Sequence, residues 1–446
     1  AEIPDLGATD PQLSISGKAS GPTADFLRFI ETSPVGEQIG HFTEDMTAQG
    51  NGALDLKLLL PLNRLADARI DGRYQFNANR IKVDTELPML GDVQGRLQFT
   101  GDTLTAEGMR ATLLGMPLSF DLKTAGNGAV EVKAAGRLNI ADLRSQWPHA
   151  LLDHLSGNTT WQGRVLARKK NTELVLESRL QGLSSSLPEP FNKSASVAMP
   201  LRIERRELPA TTANAAGDQI DITLDNTLAA RLIRRRDNTA HDTMRIERGA
   251  IAIGTPLALP DKGVLLALNL PRIDVDPWRD LIATPASTSP GNSDAALPSL
   301  PLTGLAFKTP LLTAFGYSVA DLDARARLKN DDTWNIDMKS RDISGELSWR
   351  GRDRGRLTAH LKQLSLHRDK PAARETVGNP SAARVEKLPG LDIDVERFIL
   401  QGKDLGRLKL SADQRNAAWE ASLDIDNPDA RLTGSGRWRP GMSQPD

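Results

Sequence analysis

The chain has 446 residues, with 56 Lys and Arg against 57 Asp and Glu and a formal charge of -1, so no global field draws it to nucleic acid. It contains no cysteine, which excludes disulfides, a thiol nucleophile and a zinc-thiolate site. Charged residues at 25% and hydrophobic residues at 39% describe a folded chain, and no apolar run reaches the roughly 18 residues of a membrane-spanning helix.

The first residues carry no charged segment followed by an apolar core, so the sequence reads as a mature chain or an excised fragment. Its first predicted element is helical. Asp25 to Thr32 sets Phe26, Leu27, Phe29 and Ile30 on one wide apolar face, with Thr23 as cap and Ser33-Pro34 as stop.

Alternation then takes over. Ala53 to Leu60 places Leu54, Leu56, Leu58 and Leu60 on one parity and Asp55 and Lys57 on the other. The same period of two orders Tyr74 with Phe76 and Leu97 with Phe99. In Met116 to Lys123, Leu118, Phe120 and Leu122 oppose Ser119, Asp121 and Lys123. It recurs at Leu174 and Leu176, and in Asp218 to Leu224 at Ile220, Ile222 and Leu224. Further on it orders Leu322, Trp334 and Ile336, then Leu408 and Leu410, then Trp419 and Leu423 in Trp419 to Asp426. A period of two marks strands with one face hidden from water. Aromatic residues are only 4%, so that face is smooth and aliphatic.

Turn signals at Asn51-Gly52, Gly91-Asp92, Gly101-Asp102, Gly126-Asn127-Gly128 and Asn427-Pro428 predict consecutive antiparallel strands. Gly-Arg-apolar triplets begin at Gly72, Gly95, Gly136, Gly163, Gly355, Gly406 and Gly436. They read as strand starts in which Gly leaves a turn and Arg takes the outer face. Short helices are expected at Asp142 to Leu155, broken at Pro148, and at Asp276 to Ile282. Thr284 to Ser299 is rich in Pro, Ser, Ala and Gly and reads as a linker or long loop. A mobile loop is expected near 368–387.

No constellation for catalysis stands out. Phosphate-binding glycine loops and a nucleophile elbow are missing, and the six histidines are scattered. Asp392 with Asp394 and Asp424 with Asp426 lie on polar parities, as solvated faces do. The expectation is no catalytic residue, no metal and no cofactor. Two basic clusters, Arg168-Lys169-Lys170 and Arg234-Arg235-Arg236, suit either anionic lipid headgroups or charged hairpin tips. The aliphatic face has two readings: two sheets buried on each other, or a trough open to an apolar guest.

Several stretches resemble the YhdP family of AsmA-like envelope proteins: Asp25 to Gly36 (DFLRFIETSPVG), Tyr74 to Val83 (YQFNANRIKV), Glu107 to Leu118 (EGMRATLLGMPL), Leu176 to Phe191 (LESRLQGLSSSLPEPF), and Leu388 to Trp438 with LDIDVERF, GKDLGRL and NPDARLTGSGRW. The resemblance implies the periplasmic portion of a Gram-negative protein anchored in the inner membrane upstream of this chain. It also implies passage of phospholipids between the inner and the outer membrane along a β-groove. The expected fold is therefore mostly β, a long, twisted, curved antiparallel sheet forming an elongated hydrophobic groove with a few short helices. The groove occupies 1–283, is interrupted at 284–300, and continues over 301–446. The apolar positions named above from Leu54 to Leu423, Leu60 excepted, are its candidate lining. The other reading is a structural scaffold of the envelope, a protein-interaction module without lipid cargo.

Overall fold

Alternation leaves every strand one apolar face, and a computed structural model of the chain shows how those faces align. The described residues are 1–438 except 5–6, 8–9, 33–42, 45, 65–66, 68, 84–87, 127, 147–148, 169–170, 212–214, 237–243, 284–299, 315–316, 330–331, 352–354, 369–388 and 416–417. Among them are 25 strands and three α-helices of 9, 7 and 9 residues. The fold is mostly β and dominated by antiparallel pairs, as the alternation predicts. So little helix cannot cover the apolar faces.

The chain divides into two compact units. The first comprises Ala1–Thr227 and Arg231–Arg245. Here β1 (Gln12–Pro22), β2 (Thr47–Pro61), β3 (Arg69–Lys82), β4 (Leu90–Thr100), β5 (Leu104–Leu113), β6 (Met116–Thr124), β7 (Val130–Asn139), β8 (Leu155–Arg168) and β9 (Asn171–Ser178) pair each with the next, all antiparallel. The short β10 (Leu183–Ser185) turns back onto β8. β11 (Leu201–Leu208) takes the free edge of β9 and leads to β12 (Gly217–Leu224). The end of β13 (Leu228–Arg236), from Arg231 on, also belongs to this unit. In the excursion between β9 and β11, the buried Lys193 ammonium donates to the carbonyls of Leu180 at 2.8 Å, Ser194 at 3.2 Å and Leu183.

The second unit comprises Leu228–Ala230, Ile246–Pro285 and Ser299–Asp446. β14 (Met244–Ile253) pairs parallel with β15 (Gly263–Asn269), and β15 and β16 (Arg272–Asp274) pair parallel with β17 (Leu302–Ala314). β18 (Tyr317–Leu328), β19 (Thr333–Lys339), β20 (Ile343–Arg350) and β21 (Arg356–Arg368) continue antiparallel from β17. β22 (Gly390–Leu400) joins β21 in parallel, and β23 (Lys403–Arg415), β24 (Ala418–Asp426) and β25 (Arg431–Trp438) complete an antiparallel run.

The parallel joins depart from the expected string of hairpins. A parallel pair needs a crossover of about a dozen residues or more, whereas a hairpin needs two. The polar segments singled out near 284–300 and 368–387 fall between strands that pair in parallel, which accounts for their length. Their residues 284–299 and 369–387 lie outside the described set, as do Ser33 and Pro34.

Three local expectations also change. The first helix, α1 (Thr23–Glu31), has Pro22 at its N-cap with no side-chain cap bond. Thr23 is instead buried as the first helical residue, and its hydroxyl meets the Tyr74 hydroxyl at 2.8 Å. Asn51-Gly52 and Gly91-Asp92 are inside β2 and β4 rather than at turns. Nearby register shifts accommodate Gly50 at φ 100 and Asp92 at φ 48, as bulges do. The other helices, α2 (Ile140–Gln146) and α3 (Val275–Ala283), fall near the expected positions, with a 3-10 turn at Ala150–His154.

The Gly-Arg triplets are the largest correction. Gly355 does precede β21, but Gly72, Gly95, Gly136 and Gly163 are inside strands on the apolar parity. Their role is room for a neighbouring side chain. A Cβ at Gly72 would run into the Phe99 ring, one at Gly95 into the Met109 sulfur, and one at Gly136 would come 2.8 Å from the Trp161 ring. Glycine within a strand often marks such a close approach. The partner arginines Arg73, Arg96, Arg137 and Arg164 are exposed on the outer face, as expected.

This yields a stability test. Gly72→Ala should cost about 1–3 kcal/mol by overpacking and lower the midpoint of thermal unfolding followed by circular dichroism. Gly17→Ala, with nothing within 4 Å of the new Cβ, should leave that midpoint unchanged.

Candidate functional site

Because side chains alternate along each strand, in-register pairing stacks the apolar parity into rows across the ladder. In the first unit one row runs Leu54, Tyr74, Leu97, Ala106, Leu122, Val132, Val165 and Leu174 from β2 to β9. A second runs Met109, Phe120, Ala134, Gly163, Leu176, Ile203 and Ile222 from β5 to β12. Leu56 faces Gly72, which faces Phe99; Leu58 faces Ile70, Leu118 faces Gly136, Phe76 faces Gly95, and Leu224 faces Leu201.

The second unit repeats the device. Leu305, Ala326, Ile336, Leu347, Ala359, Ile393, Leu410 and Leu423 form one row from β17 to β24. Val395 and Leu408 continue beside it, and Trp334 faces Trp349. Leu322 is buried opposite Thr309. Trp419 packs with Ala412 and Leu391. Most predicted lining residues of each unit therefore share its apolar rows; Leu322 faces Thr309, Trp419 faces Gln414, and the neighbour of Ile220 is described below.

What covers these rows differs along the ladder. Over β2 to β4, α1 lies on the face: the Phe26 ring stacks on Tyr74 with centroids 4.0 Å apart and meets Phe99 at 5.9 Å. Asn79 Nδ2 donates to Thr23 Oγ1 at 2.7 Å and holds the start of the helix down. Tyr74 and Phe99 are consequently 2% and 4% exposed. Burial pushes the Tyr74 phenol up, against the opposing pull of the Thr23 hydrogen bond. The two buried apolar clusters of this unit draw on side chains from β2 to β8 and on α1. These strands are contiguous in one ladder, and no facing sheet contributes to either cluster. Beyond them, Leu174, Leu176, Ile220 and Ile222 are half-buried and belong to neither cluster.

The opposite face is polar and self-neutralising. Glu131 accepts from Arg164 Nε at 2.8 Å, with Lys123 and Lys133 at 3.6 and 3.9 Å. Burial alone would raise its carboxyl, but these cations outweigh burial and hold it low. Asp394 and Asp424, members of the sequence-visible carboxylate pairs, are bridged by Arg407 at 2.7 Å and Arg431 at 2.8 Å. Two shallow clefts, one around Asp121, Lys133 and Arg164 and one around Asp394, Lys409 and Asp424, open on these polar faces.

One charged group was missed on the apolar face. Arg205 stands between Leu174 and Ile220 in the first row of the first unit, and Asp218 shares the parity of Ile220 and Ile222. The Asp218 side chain is 0% exposed. Arg205 Nε donates to its Oδ2 at 2.7 Å and Arg234 Nε to its Oδ1 at 2.8 Å. Burial would raise this carboxyl, yet the hydrogen bonds and charges of Arg234 and Arg205 prevail and keep it below its ordinary value of 3.8. The signal was present in the parity of Asp218, but a period-two reading weighs the apolar members of a strand and passes over its first residue. Arg234 itself belonged to a basic cluster read only as a whole. Of the other cluster, Lys169 and Lys170 lie outside the described residues.

A depressed carboxyl contributes stability above its unfolded value and loses it as pH falls through the folded one. Acidification below 3.8 should therefore lower the thermal midpoint of the chain. Asp218→Asn should cost about 2 to 3 kcal/mol at neutral pH, since it leaves two half-buried cations without their buried counter-ion, and should flatten that acid limb. Melting curves across the acid range check both expectations.

With this geometry in view, the comparisons with known proteins carry weight. No curated protein and no solved structure matches the chain. The family model described as YhdP protein matches residues 1–445, so the chain belongs to the YhdP family.

Proposed function

We propose that this chain is a passive conduit for phospholipids in the periplasm of a Gram-negative envelope, between the inner and the outer membrane. Acyl chains lie against the aliphatic rows while headgroups stay in water at the open edge. No bond is made or broken, and no catalytic group is required. The reading draws on membership of an envelope family together with the rows themselves, which in the first unit extend across many strands with no facing sheet among the described residues of its buried clusters.

The energetics explain why a protein surface is needed. A phospholipid leaving a membrane exposes about 30 methylenes, which at roughly 0.8 kcal/mol each amounts to about 25 kcal/mol. An apolar strand face shields that surface. Half a bilayer's hydrocarbon core is about 15 Å thick, and four to five strand residues at about 3.3 Å each span it.

The observation that carries the reading is the half-buried stretch at Leu174, Leu176, Ile220 and Ile222, apolar side chains that no cluster of their own unit covers. Leu176→Asp should therefore abolish binding of a fluorescent phospholipid while shifting the thermal midpoint little. Leu118→Asp, at a position 7% exposed within a packed cluster, should cost several kcal/mol and unfold the unit. Unfolding by both variants, with no lipid bound by the parent chain, would sink the conduit.

A further inference from the structure

On the described apolar face from β2 to β9, the lining parity carries aliphatic, aromatic, methionine, glycine, serine and threonine side chains and the amide of Asn79, all uncharged. The first ionised groups on that parity appear at β11 to β13: Arg205, Glu207, Asp218 and Arg234. They cluster at one edge of the ladder, the end of β11, the start of β12 and the end of β13. Two residues back along β11, about 7 Å, the apolar row resumes at Ile203 opposite Ile222.

Burial of such a cluster is a weak source of stability, because apolar residues of similar volume often do as well. Its chemistry points elsewhere. Guanidinium groups present a rigid fork of donors that matches phosphate oxygens, and Asp218 holds two of them in place. Their side chains remain 22% and 17% exposed, so each still reaches the surface of the apolar face. Glu207, half-buried, is paired across the ladder with Asp218. Arg205 and Arg234 thus balance Asp218 and Glu207. Arg236, next on the parity of Arg234, is exposed, where water screens it.

We propose that this edge binds the headgroup of a zwitterionic phospholipid, with its phosphate against Arg205 and Arg234, its amine against Glu207 and its acyl chains on Ile203, Ile220 and Ile222. Charge balance decides the class. An anionic lipid would add an uncompensated charge to a partly desolvated site, whereas a zwitterion adds none. A lipid without phosphate would forgo the guanidinium contacts altogether. The proposal rests on the conduit reading and adds headgroup selection to it.

The test is equilibrium binding of the full chain to three fluorescent lipids with identical acyl chains: phosphatidylethanolamine, phosphatidylglycerol and diacylglycerol. Phosphatidylethanolamine should bind about tenfold tighter than either of the others, the gain of one charge-assisted contact. Glu207→Gln should erase its advantage over phosphatidylglycerol and keep that over diacylglycerol. Because Arg205→Gln alone leaves a buried carboxylate underpaired, the informative variant is Arg205→Leu with Glu207→Leu, Asp218→Leu and Arg234→Leu, which removes the whole cluster. It should fold, bind all three lipids and show no preference. Equal binding of the three lipids by the parent chain, or an undiminished preference in the quadruple variant, would overturn headgroup selection while leaving the conduit intact. Binding of no lipid by the parent chain would overturn the conduit, and headgroup selection with it.

Discussion

An apolar sheet face must be kept from water, and among the described residues of the first unit the strands do not accomplish it by stacking a second sheet on the first. Each buried cluster of the first unit is assembled from strands that neighbour one another in a single ladder, with α1 laid over its beginning. The consequence is graded burial. Tyr74 and Phe99 are sealed beneath Phe26, whereas Leu174, Leu176 and Ile222 keep part of their surface in solvent. That remainder is the surface on which the proposed conduit would seat an apolar guest.

Glycine makes this single layer pack. Large rings on a strand need somewhere to lie, and in a sandwich the facing sheet supplies it. Here Phe99 lies across Gly72 and Trp161 across Gly136, so rings fold flat onto neighbouring strands of the same sheet. Much of the apolar surface is then buried by side chains on their own face, at the expense of strands that tolerate no Cβ at those points. The outer face needs no comparable device, because its charges neutralise one another in exposed cross-strand pairs of small individual worth.

Much of this was legible beforehand. A period of two located β6, β12 and β24 to within one residue, found the second half of β2 and assigned their faces, because alternation is a direct image of one-sided burial. Strand partners were not legible in the same way. Whether two successive strands run parallel depends on the path between them, and nothing in the alternation of β21 or β22 encodes it. The mid-strand glycines were misread because Gly at a turn and Gly beneath a ring look alike until the partner strand is known. Asp218 eluded the reading for a related reason: its place among Ile220 and Ile222 becomes meaningful only when Arg205 and Arg234 arrive from neighbouring strands.

Whether the aliphatic rows carry lipid is decided by purifying the chain without detergent under non-denaturing conditions, extracting it with organic solvent and quantifying phospholipid per protein by mass spectrometry. The account predicts phospholipid at one or more molecules per chain. A monodisperse, folded chain free of lipid would contradict it and return the apolar face to a purely structural role.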